Sequence, residues 1–174
     1  MWIIIFLELI TFGIALISMV YAAKQDSEVF HASRLMLNST FGMINTIVLL
    51  TSGFFMALSV KSLKAGLRQK TNQYLLLTIA LGAVFLVLKS IEYSHKLNAG
   101  LTVDYNTFFN YYWILTFFHA VHVLVGMVIL ISLYLGVRKP KSTTKTEDFE
   151  AGAAFWHMCD LIWLLLFPVI YLMF

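Results

Sequence analysis

Five apolar runs, at residues 2–23, 35–60, 72–93, 107–136 and 150–173, dominate this chain. A helix crossing a hydrocarbon core about 30 Å thick needs roughly 20 apolar residues, and each run is long enough. In such a core every backbone N–H and C=O must be paired within the protein, so only helices or a closed barrel can span it. The runs are apolar on all sides and too long for the alternating strands of a barrel. The expected fold class is therefore all-α: a polytopic membrane bundle of five transmembrane helices, with residues 1–174 read as a single membrane domain. Charged residues make up 12% of the chain, against about a quarter in soluble domains.

The net charge of +3 would suit a nucleic-acid binder if the cations were clustered. They sit instead in short segments between apolar runs, which is a membrane pattern, and no nucleic-acid partner is expected. Cys159 is the only cysteine, so no internal disulfide forms. Tyr21-Ala22-Ala23 resembles a signal-peptidase site, but no basic region precedes Trp2 and the run is longer than the usual roughly 7–15 residues. It reads as a retained span.

Orientation follows from the basic residues. The segments after the second and fourth spans hold Lys61, Lys64, Arg68 and Lys70, then Arg138, Lys139, Lys141 and Lys145, with Pro140 as a helix stop. Those after the first and third hold only Lys24, Arg34 and Lys96. The bias predicts a cytoplasmic N-terminus and an outer C-terminus. Trp2, Tyr74, Tyr134 and Trp156 would form the inner aromatic belt, and Tyr21, Tyr93, Tyr111 and Tyr171 the outer one.

Ionisable groups inside apolar spans are costly and need partners. Glu8 calls for protonation, a hydrogen bond to a neighbouring helix, or a water-filled path. A structural hydrogen bond is preferred over a proton relay. Glu92 and Lys89 stand three apart, at the spacing of an intrahelical ion pair, near enough to the boundary for both to snorkel. His119 and His122 share a helix face, as do His157 and Asp160. Asn38, Gly42, Asn45, Ser52 and Ser59 form a small, polar stripe that suits close helix packing better than a substrate path. His31 and His95 are expected in solvent. Di-metal carboxylate bundles use Glu-x-x-His pairs, which this chain lacks, as it lacks the Cys-x-x-Cys-His of haem attachment. Buried interhelical hydrogen bonds are preferred over a metal site, and no catalytic residue is assigned.

Together these segments resemble the subunit III family of the haem-copper oxidases, the cytochrome c and quinol oxidases. Phe6-Leu7-Glu8-Leu9-Ile10 looks like the family helix with its buried glutamate, with Leu7 where Ser is usual. Ile44-Asn45-Thr46 resembles the family's Leu-Asn-Thr run, and Glu92-Tyr93 its Glu-Tyr pair, with Lys89 replacing the usual glutamine. Phe118-His119-Ala120-Val121-His122-Val123 is similar to Phe-His-Gly-Leu-His-Val. Phe155-Trp156-His157-Met158-Cys159-Asp160-Leu161-Ile162-Trp163 is similar to Tyr-Trp-His-Phe-Val-Asp-Val-Val-Trp. Longer members have seven helices; a form starting at their third would keep the orientation derived above.

The resemblance implies an accessory, non-redox subunit, not an enzyme on its own. It would stabilise a catalytic subunit and support proton delivery near Glu8. It would bind no cofactor itself, the haem and metal lying in the partner. The implied partners are membrane lipids and the catalytic subunit of a haem-copper oxidase or of a nitric oxide reductase, whose accessory protein is similarly short. The implied location is the bacterial inner membrane. A membrane metal enzyme and a small transporter are the competing readings; the two prolines, Pro140 and Pro168, give little sign of the broken helices of transporters.

Overall fold

The computed structural model describes residues 2–138 and 145–174, and these form six helices. They are α1 (Trp2–Gln25), α2 (Ser27–Leu35), α3 (Ser39–Lys64), α4 (Arg68–Asn98), α5 (Thr107–Arg138) and α6 (Thr146–Tyr171). All but α2 are long and apolar enough to cross a membrane. No strand occurs among the described residues. The charges of Lys139 and Lys141 and the stop at Pro140 lie outside the described residues.

The polar stretch after the first span is not a loop but α2, nine residues long. Phe30 explains it. This side chain is fully buried, edge-on to Phe108 at 5.5 Å and to Phe174 at 5.3 Å, so the segment folds back onto the bundle. Arg34 at its end donates from Nε to the carbonyl of Tyr171 at 3.0 Å. His31, carried on α2, is exposed.

The third span is longer than its apolar run, because α4 continues to Asn98 and carries His95, still exposed, in its last turn. Between α3 and α4 only Ala65, Gly66 and Leu67 remain. Gly66 adopts φ +74°, a left-handed conformation open to glycine, and Leu67 N–H then returns to the Ser62 carbonyl at 2.9 Å.

α3 and α4 form a tight antiparallel hairpin, α6 packs between α3 and α5, α4 closes against α5, and α1 lies outside against α5 and α6. The polar stripe of α3 builds these contacts. Ser52 and Ser59 donate to the carbonyls of Thr78 and Thr71 on α4, at 2.9 and 3.0 Å. Trp156 and Trp163 of α6 donate their indole N–H groups to Ser52 Oγ at 3.1 Å and Thr46 Oγ1 at 3.0 Å. Trp156 is fully buried against Gly82 and Gly126, where any Cβ would press into its ring. It does not belong to an interfacial belt. Asn38 does not belong to the stripe: it lies one position before α3 and caps it, Oδ1 accepting the Thr40 N–H at 3.0 Å. Asn45 is fully buried, and its amide has no hydrogen-bond partner among the described residues.

Candidate functional site

Charge is buried deepest where α4, α5 and α6 meet. Lys89 and Glu92 stand one turn apart on α4, and their side chains are 1% and 5% exposed. Snorkelling fails here because Tyr112 of α5 and Tyr171 of α6 roof the pair. Lys89 Nζ donates to Glu92 Oε2 and to Tyr171 Oη, both at 2.9 Å. Tyr171 and Tyr112 donate their hydroxyls to Glu92 Oε1 at 2.5 and 3.0 Å. Both carboxylate oxygens are thus satisfied by charge-assisted bonds. The ammonium also lies over the rings of Trp163 at 4.9 Å, Tyr93 at 5.3 Å, Tyr112 at 5.4 Å and Tyr171 at 5.5 Å. The arrangement fixes three helices at one point. Its chemistry is that of a fully satisfied ion pair, not of a base waiting for substrate.

The second polar contact joins α1 to α5. Glu8 Oε2 lies 3.2 Å from His122 Nε2, with side chains 25% and 12% exposed. His122 Nδ1 lies 2.8 Å from the Phe118 carbonyl, which can only accept, so Nδ1 carries a proton. Phe118 and Phe12 wall the imidazole at centroid distances of 4.6 and 5.6 Å. For Glu8 the geometry provides an interhelical contact with His122 at ion-pair distance.

His119, although one turn from His122, belongs elsewhere. It is fully buried, stacked on Trp163 at 5.3 Å and edge-on to Phe85 at 5.8 Å. Neither of its ring nitrogens has a partner among the described residues, so the interhelical hydrogen bond expected for it is not made. Helix rotation explains the split, since α5 is covered by α1 on one side and by α4 and α6 on the other.

His157 and Asp160 do meet, Nδ1 to Oδ2 at 3.5 Å. Asp160 is 8% exposed and His157 45%, so the pair runs from the bundle interior to its surface. Asp160 points at Gly53 of α3, where a Cβ would collide with its carboxylate. Its Oδ1 has no partner among the described residues.

The three polar contacts stay separate. Among the described residues no three His, Cys, Asp or Glu side chains converge closely enough to hold a metal ion. Sequence reasoning missed Tyr112, and it assigned Tyr171 to the outer belt although that residue is fully buried. A signal for Tyr112 existed, because it shares the heptad-like spacing of Thr116 and His119, all three on the fully buried face of α5.

A family model for cytochrome c oxidase subunit III matches residues 10–173. Cytochrome c oxidase subunit 3 of Synechocystis sp. is 32% identical over 132 residues, covering 75% of this chain and 55% of that protein. The subunit 3 proteins of Hippopotamus amphibius and Mus musculus are 37% and 36% identical over 130 residues, each covering 74% of this chain and 49% of theirs. The chain spans about half the length of the curated relatives it matches. With its five membrane-crossing helices and a match along nearly its whole length, the chain is an integral membrane protein and belongs to the cytochrome c oxidase subunit III family.

Proposed function

We propose that this chain is an accessory, non-redox subunit of a respiratory haem-copper oxidase, packed laterally against the catalytic subunit in a bacterial inner membrane. The observation that carries the reading is the family match over residues 10–173. The polar chemistry agrees with it: the buried Lys89–Glu92 pair is tied to α5 and α6 by Tyr112 and Tyr171, as a scaffold requires. In this reading the haem and copper reside in the partner, and this chain contributes packing surface. Helix α1 supplies such a surface, with Ile3, Leu7, Ile10, Ile14 and Ile17 all exposed along it. The cytoplasmic N-terminus inferred from the loop charges is part of the same proposal, as is a single folding unit over residues 1–174.

The finer proposal concerns Glu8 and His122. They face each other at 3.2 Å across a partly exposed boundary between α1 and α5, a position suited to supporting proton delivery to the catalytic subunit without chemistry of its own. A nitric oxide reductase is the second candidate partner.

The test is purification of tagged protein from its native membrane in mild detergent, reading the haem spectrum and the identities of co-purifying proteins. A haem- and copper-containing oxidase supports the first reading, and a haem and non-haem iron reductase the second. A colourless protein with stoichiometric metal, and no crosslinked partner in intact membranes, would overturn both.

A further inference from the structure

His157 is held half in and half out of the bundle at membrane depth. Glu150, one turn into α6, pairs with Lys64 of α3 at 2.6 Å, and both are well exposed, which marks the polar boundary. His157 follows two turns later on the same face of α6, about 10 Å deeper along the helix. Its side chain is nonetheless 45% exposed. Nδ1 faces Asp160 Oδ2 at 3.5 Å, and a Cβ at Gly53 would meet both that carboxylate and Nδ1, so α3 and Asp160 hold this edge of the ring inward. Nε2, on the other edge, makes no hydrogen bond or ion pair among the described residues. Hydrocarbon offers it no partner, and an ionisable side chain at this depth faces protein or water.

The surface beside it suits a helix. A groove of about 440 Å³ runs between α3 and α6 from the Lys64–Glu150 pair to His157, and Ala57, Ala153 and Ala154 form its wall. Small residues let a second backbone approach closely, which is how helices associate in lipid, where apolar contact alone supplies no driving force. Trp2, at the start of α1 and 67% exposed, edges the groove, so it continues the exposed apolar face of α1. A wall of small residues alone would fit an acyl chain as well as a protein. The imidazole decides between them. In a neutral ring Nε2 either donates or accepts, according to tautomer, and a hydroxyl or a carboxamide answers both while an acyl chain answers neither.

We propose that this groove seats a transmembrane helix of the catalytic subunit, carrying a hydroxyl or carboxamide side chain at the depth of His157 as its hydrogen-bond partner. His157 is a docking residue, and Asp160 with Gly53 sets its orientation. The inference deepens the accessory-subunit reading and rests on it for the existence of the partner.

The test places a short aliphatic diazirine residue at position 60, inside the groove, and at position 128 on α5 as a matched control, where Val128 is 68% exposed and outside the groove. The tagged chain is irradiated in its native membrane, purified in mild detergent and analysed by peptide mass spectrometry. The expected result is a crosslink from position 60, and not from position 128, to a transmembrane segment of the co-purifying catalytic subunit. Ser, Thr, Asn or Gln should lie within about two turns of the attachment point. His157→Leu should lower the amount of catalytic subunit retained by about three- to tenfold, and His157→Gln should retain most of it. Ala57→Phe, at an exposed position, fills the groove while keeping His157 and should lower retention at least as far; it serves where circular dichroism shows His157→Leu unfolded. Adducts from position 60 with lipid alone or with a second copy of this chain, equal crosslinking from both positions, or full retention in the folded variants would overturn this inference while the catalytic subunit still co-purifies. A chain that brings down no catalytic subunit overturns the accessory-subunit reading and this inference together.

Discussion

Tyr171, in the last turn of α6, donates its hydroxyl to Glu92 of α4 at 2.5 Å while accepting a hydrogen bond from the Lys89 ammonium at 2.9 Å. The tyrosine thus closes an ion pair that would otherwise sit bare in the bundle. Tyr171→Phe should remove both bonds and destabilise the fold by about 1–3 kcal/mol. Glu92→Gln, which strands Lys89 as a buried cation, should cost about 3–5 kcal/mol. The combination Lys89→Met with Glu92→Leu should recover most of that loss. Detergent- or heat-induced unfolding of the four proteins checks the order.

Gly53 and Asp160 give a steric prediction. Any Cβ at position 53 overlaps the Asp160 carboxylate, so Gly53→Ala should push α3 and α6 apart at a cost of about 1–3 kcal/mol. Adding Asp160→Ala should relieve the overlap. A double-mutant cycle read by thermal unfolding would show strong coupling; simple additivity would mean that the two helices are not seated this closely.

Ser52 bridges three helices, donating to Thr78 of α4 and accepting from Trp156 of α6. Ser52→Ala leaves a buried indole N–H unpaired and should destabilise by about 1–3 kcal/mol. Trp156→Phe beside it should show that the two losses are not additive.

Glu8→Gln tests the proposed supporting role of the α1–α5 contact. The neutral amide can still hydrogen-bond His122, so assembly with the catalytic subunit should persist. Turnover of the complex should nevertheless fall if the Glu8 carboxyl serves proton delivery. Unchanged turnover in an intact complex would confine Glu8 to helix packing.

Topology is testable with impermeant thiol reagents in intact cells, since Cys159 is buried. Thr102→Cys, in the exposed turn between α4 and α5, should label from outside, and Ala65→Cys, between α3 and α4, only after permeabilisation. The reverse pattern would invert the proposed orientation.

Much of this architecture is written locally. A span of helix is a property of consecutive residues, because bilayer thickness sets a length and apolar composition satisfies it. The Lys89–Glu92 pair was legible for the same reason: three residues of spacing on a helix place two side chains together whatever surrounds them. The departures lie where amphipathic residues meet the bundle. Trp156, Tyr171 and Phe30 carry no mark in sequence that separates a membrane-interface ring from a core ring, since each type suits both environments.

What the sequence determined by itself is thus the number of spans, the all-helical class and the intrahelical pairs. The family was legible too, because its signature is an ordered series of short segments. Only the tertiary structure decided the partners across helices: Tyr171 for Glu92, 79 residues away, and Glu8 for His122. It also separated His119 from His122. The physical reason is that a buried polar group is satisfied by whichever helix packs against it. Helix rotation and neighbour choice follow from side-chain fit along the whole chain, not from spacing within one span.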